Sequence, residues 1–172
     1  MKPRSYLPVL VLALTVGGTG VLLASDDGSK EGNLFPHSVD PKWRAECGSC
    51  HVAYPPALLP ARSWRKMMAG LDRHFGEDAS LDPVVTREIT DYLAAHSAGK
   101  GELRGGRKVA RSIAEDSVPL RITETPWFRH QHDEITADVW ERTAVRSAAN
   151  CGACHRDAAR GVYAEDGTGI PR

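Results

Sequence analysis

The sequence carries no surplus of either charge: 22 Lys and Arg face 22 Asp and Glu. With no basic excess, nothing in the composition suggests nucleic acid as a partner. Long β alternation is missing as well, which leaves a mostly α chain with much irregular backbone. Methionine is scarce. Only Met67 and Met68 follow Met1, so a role that needs a thioether could be filled once at most without crowding. Cysteine is limited to four residues, and internal repetition to the two short motifs that contain them.

A single long apolar run, Leu7 to Leu23, lies near the start. Lys2 and Arg4 precede it and Ala24-Ser25-Asp26-Asp27 follows, the order of a secretory signal: basic end, apolar stretch, small residue, polar continuation. Residues 1–24 therefore read as a signal peptide cleaved at Ala24, with an uncleaved N-terminal anchor as the alternative. The run is 17 residues long and contains Pro8 and three glycines, at the lower limit for spanning a bilayer, which favours cleavage. The expected location is the bacterial periplasm. Removing Lys2 and Arg4 leaves 20 basic against 22 acidic residues, a formal balance of −2.

All four cysteines fall in two copies of one pattern, Cys47-Gly48-Ser49-Cys50-His51 and Cys151-Gly152-Ala153-Cys154-His155. C-x-x-C-H is the spacing of c-type haem attachment. Each thiol adds to one haem vinyl group, and the adjacent His is held under the macrocycle where its imidazole can ligate the iron. A disulfide pair or a zinc site is the competing reading of paired C-x-x-C units. It leaves the His after each pair unexplained, twice. Two covalently bound haem c groups are expected, with Cys47, Cys50, Cys151 and Cys154 as attachment points and His51 and His155 as proximal ligands. Roughly 150 residues remain after the leader, and two macrocycles supply enough apolar surface for two small haem domains to be built around them.

The order along the chain supports that division. Residues 25–45 read as an extended leader and 46–100 as the haem 1 domain. Within it, Ser63 is placed to cap a helix over Trp64 to Phe75, whose apolar residues repeat at three and four, with Gly76 to end it. Asp82 and Pro83 announce a second helix, ending near Ser97. Residues 101–120 read as a glycine-rich, basic linker with a short helix around Val109 to Ile113. The haem 2 domain, 121–172, opens on an extended strand or loop from Leu120 to Trp127 and resumes helix between Thr136 and Ala148.

The sixth iron ligand decides the function, because an open iron can bind or reduce small molecules while a doubly ligated one is suited to moving electrons. Excluding His51 and His155, the remaining histidines are His37, His74, His96, His130 and His132. His74 is the strongest candidate for haem 1, in helical series with Met67 and Leu71. His96, at the end of an apolar helix face, is the alternative. For haem 2, His130 and His132 follow an aromatic pair. Only one of them can face an iron if the stretch is extended, and the residue types leave the two level.

The stretches Glu46 to His51, Tyr54-Pro55-Pro56, Leu58-Leu59-Pro60, Ser63-Trp64, His74-Phe75-Gly76, Arg121-Ile122-Thr123-Glu124-Thr125-Pro126-Trp127-Phe128 and Asn150 to His155 closely resemble the dihaem cytochrome c family of proteobacterial periplasms. The resemblance runs from about residue 40 to the C-terminus. It implies two bis-His haems, a first domain similar to class I cytochromes c, and a less usual second domain. It also implies His74 as distal ligand of haem 1 and, four positions after the Phe of Pro-Trp-Phe, His132 as distal ligand of haem 2; a second His at position 130 departs from that pattern. As partners it implies a membrane b-type cytochrome and a soluble periplasmic haem protein. A non-enzymatic electron carrier is the leading expectation. A dihaem peroxidase or nitrite reductase would need an open iron and a polar distal pocket, and a haem-based gas or redox sensor would need a signalling domain; the sequence commits to neither.

Overall fold

The computed structural model describes residues 34–36, 39–100, 103–164 and 168–172; the leader and His37 lie outside them. Among the described residues, six short α-helices and five 3-10 turns alternate with irregular chain, with isolated β-bridges but no strand.

Helix α1, Pro41–Cys47, begins inside the stretch expected to be extended. The Asp40 carboxylate accepts from the Trp43 amide at 2.8 Å and Pro41 occupies the first turn, so local capping starts a helix there. Helix α2 covers Ala61–Met68, shorter than the Trp64 to Phe75 reading and starting earlier. Pro60 sets its start, and Ser63 is buried inside it instead of capping it. The chain leaves helix at Ala69 and Gly70, then makes a 3-10 turn over Leu71–Arg73 that ends at His74. Helix α3, Pro83–Ala95, follows the sequence signals: the Asp82 carboxylate accepts from the amides of Val84 and Val85.

Helices α2 and α3 pack on each other and α1 lies against α3. Trp43, Leu59, Trp64, Met68, Ile89 and Leu93 form the core between them. Burying each such aliphatic side chain contributes about 1.5–3 kcal/mol. The Trp64 indole donates to the Pro56 carbonyl at 2.8 Å, so its one polar atom is satisfied inside that core.

Residues 101–120 carry helix α4, Arg104–Ser112, which packs on the 3-10 turn Pro56–Leu58 through Val109 and Leu58. Arg62 binds the carbonyls of Ala114 and Ser117 at 2.7 and 2.6 Å, so this stretch lies against the first half of the molecule. The segment expected to be extended before Trp127 is instead a 3-10 turn, Ile122–Glu124, followed by helix α5, Pro126–Gln131. Buried Thr125 is its N-cap, accepting from the Phe128 amide at 3.2 Å with Pro126 at the first turn. Helix α6 spans only Ala137–Glu141. Arg142 turns extended and Val145 is fully buried, which breaks the longer helix expected up to Ala148.

Candidate haem sites

The first motif grows out of the C-terminus of α1. Cys47 is its last residue, and Gly48 follows at a point where a Cβ would overlap the Arg44 carbonyl oxygen. A glycine after the first cysteine therefore lets the chain turn immediately toward Cys50 and His51. The His51 Nδ1–H donates to the Val52 carbonyl at 2.7 Å, since a carbonyl can only accept. That leaves Nε2 as the free, metal-binding nitrogen. The Tyr54 ring stacks on His51, centroids 4.7 Å apart and planes 21° apart. Facing the same imidazole is His74, at 6.2 Å and 22°.

His74 reaches this place from a tight reversal and not from a helix face. Its carbonyl accepts from the Glu77 amide at 3.1 Å, and the two residues between, Phe75 and Gly76, have φ of +54° and +107°. Two positive φ values in a two-residue reversal are the mark of a type I′ turn, which prefers Asn or Asp before Gly. A phenylalanine there costs on the order of 1–3 kcal/mol.

The second motif forms a 3-10 turn, Cys151–Ala153. The Thr168 hydroxyl donates to the Ala164 carbonyl and thus accepts from the His155 Nδ1–H at 3.2 Å, again freeing Nε2. His132, the C-cap of α5, lies 6.1 Å from His155 with planes 83° apart. Its Nδ1–H donates to the Phe128 carbonyl at 2.9 Å, and its ring stacks on the Phe128 ring at 4.1 Å. A cavity of about 530 Å³ opens beside this pair, lined by Trp127, Phe128, His132, Trp140, both motif cysteines, His155 and Tyr163.

Other candidates fall elsewhere. His130 has a side chain 79% exposed, 3.6 Å from the Asp133 carboxylate. Two residues apart on a helix is about 200° around its axis, so His130 and His132 leave α5 on nearly opposite sides. His96 caps α3, with its Nδ1–H on the Tyr92 carbonyl at 2.8 Å and its ring on the Tyr92 ring, and pairs with neither motif histidine.

Electrostatics favours the forms that haem binding requires. Burial lowers the pKa of His74, helped by nearby His51, and burial lowers that of His155, helped by His132, so both imidazoles are held neutral. Before haem attachment, burial pushes the Cys47 and Cys151 thiols up to about 11, with Glu46 adding to the first. The four cysteines form no disulfide. A zinc site needs converging donors, and among the described residues no three His, Cys, Asp or Glu side chains gather as one.

Tyr163 adds an observation that sequence reasoning missed. Its hydroxyl is buried at the cavity without a hydrogen-bond partner among the described residues, and its ring meets His155 edge-on at 5.3 Å. An orphaned phenol, an aromatic-lined cavity and paired free imidazole nitrogens fit a haem. Tyr54 was also missed, although it stands three residues after His51: its hydroxyl donates to the Ala149 carbonyl at 2.7 Å, two residues before Cys151. At the same junction a Cβ on Gly152 would meet Val52 Cγ2 at 3.7 Å, so the two motifs adjoin.

The sequence profile of dihaem cytochrome c matches residues 43–163. No curated protein matches. Among solved structures, a dihaem cytochrome c from Rhodobacter sphaeroides is 47% identical, covers 73% of this chain and 97% of its own, and superposes with a TM-score of 0.65. A second structure from that organism is 46% identical, covering 73% and 98% of the two chains, at 0.59. A dihaem cytochrome from Shewanella baltica is 40% identical, covering 76% and 92%, at 0.63. With both attachment motifs intact and a helical, largely irregular fold around them, the chain belongs to the dihaem cytochrome c family and carries two covalently bound haem c groups.

Proposed function

We propose that both irons are ligated by two histidines, His51 with His74 at haem 1 and His155 with His132 at haem 2, and that the protein shuttles single electrons. The observation that carries this reading is the spacing of the two ring pairs, 6.2 and 6.1 Å. Two imidazoles sharing one metal at roughly 2 Å each, as for imidazole on zinc, have ring centres about 6 Å apart. The bound haems supply a one-electron ferric/ferrous couple, and all-His ligation without methionine sets both toward the reducing end of the haem range. The protein's part is to present a pair of histidines to each iron. The backbone bonds of His51 and His132, and the Thr168 bond of His155, fix three of the four rings in a single tautomer.

In this reading the chain is exported to the periplasm by residues 1–24 and passes electrons between a membrane b-type cytochrome and a soluble periplasmic haem protein. Among the described residues no helix is long and apolar enough to cross a membrane. Optical and EPR spectra of the ferric protein test the ligand assignment. Two low-spin signals without a high-spin component are expected; a substantial high-spin fraction in intact protein would instead assign an open iron.

A further inference from the structure

The two distal histidines are not held alike. His132 is anchored by its Nδ1–H bond to Phe128, by the face of the Phe128 ring, and by the Trp140 ring at 6.0 Å. His74 has no such anchor: among the described residues its ring accepts or donates no hydrogen bond, and it stands at the start of the Phe75-Gly76 reversal. Phe75 is 46% exposed and touches His74 edge-on at 4.8 Å. The Arg121 guanidinium lies over the Phe75 ring at 4.2 Å, while also meeting the Glu124 carboxylate at 3.7 Å. A bulky ring in a conformation that favours Asn or Gly stores strain that relaxes when the turn opens. Arg121 is the N-cap of the 3-10 turn that leads into α5, the helix of the other distal histidine.

Building on the bis-His reading, we infer that His74 is the releasable ligand of the pair, and that the distal side of haem 1, latched by the Arg121–Phe75 stack, is a site for a small neutral diatomic ligand. With haem 1 in place, His51 would hold the iron and His74 would yield its position to the diatomic, one neutral ligand replacing another. No electron is transferred and no proton is required. The turn lies at the surface, with Phe75 itself 46% exposed. Haem 2, whose distal ring stacks on Phe128 and is bonded to its carbonyl, does not exchange on the same time scale.

Carbon monoxide and the reduced full-length holoprotein provide the test, followed by stopped-flow absorbance. In the wild type one haem takes up CO, at a rate that levels off with rising CO because His74 departure limits it. Arg121→Ala raises that limiting rate about two- to fivefold, the value of an exposed cation–π contact converted to a rate ratio. Arg121→Lys, which keeps a cation, stays near the wild type. In His74→Ala the limiting phase is replaced by a fast one proportional to CO. The inference is overturned by an unchanged rate in Arg121→Ala, by no CO uptake in the wild type, or by a limiting phase that survives in His74→Ala. A His74→Ala protein with an unaltered ferric spectrum would overturn the ligand assignment itself, an outcome separate from failure of the latch.

Discussion

Replacing Tyr54 by Phe removes one hydroxyl and leaves the ring that stacks on His51. The lost bond, Tyr54 to the Ala149 carbonyl at 2.7 Å, joins the neighbourhood of the first motif to that of the second. A hydrogen bond of this kind contributes about 0.5–1.5 kcal/mol net, and stranding a buried carbonyl costs about 1–3 kcal/mol. Ala149 is only half-buried, so its carbonyl regains water and the expected loss is about 1 kcal/mol. For a chain of this length that lowers the melting midpoint by about 2–4 °C. Urea and thermal unfolding followed by far-UV circular dichroism measure it, while the ferric Soret band should stay in place because the His51 stack survives. The pH dependence sharpens the test. Burial pushes the Tyr54 phenol up to about 12, above its ordinary value of about 10. A raised pKa means that this stabilisation is fully present below about pH 10 and is lost as pH rises through about 12, so the difference between the two proteins should be constant from pH 6 to about 9. An unchanged midpoint, or a difference that vanishes at neutral pH, would refute the idea that this bond docks the two halves.

His132→Ala is expected to produce a high-spin haem 2 that binds CO rapidly, whereas His130→Ala should leave the spectrum unaltered and change stability by no more than about 0.5 kcal/mol; the reverse pair of phenotypes would move the ligand to His130. Thr125→Ala removes the cap of α5 and should cost about 1 kcal/mol in urea unfolding, with Thr125→Ser recovering most of it; equal stability of all three proteins would refute the capping role.

The attachment motifs and α3 were legible because their signals are local: a covalent spacing in one case, Asp82 before Pro83 in the other. The extent of α2 was not. Its three-and-four periodicity continues through Leu71 and Phe75, but the backbone leaves helix at Ala69, and periodicity counts side chains without detecting where the chain turns. His74 therefore faces His51 from a type I′ turn, while the sequence pointed to it as part of a helix face. The choice between His130 and His132 was not legible, because an extended chain puts residues two apart on one face and leaves the two level, whereas helix α5 turns them about 200° apart and brings only His132 to His155. Tyr54, Tyr163 and the Arg121–Phe75 stack were invisible because each depends on contacts between segments far apart in sequence.

The near contact of Gly152 with Val52 has a consequence for how the protein charges and discharges. Two attachment loops that adjoin would set their cofactors on neighbouring parts of the chain. The first electron to arrive, at whichever iron, alters the field in which the second must be accepted. In the proposed electron-carrier reading, the two midpoint potentials would then be properties of the pair and not of either haem alone.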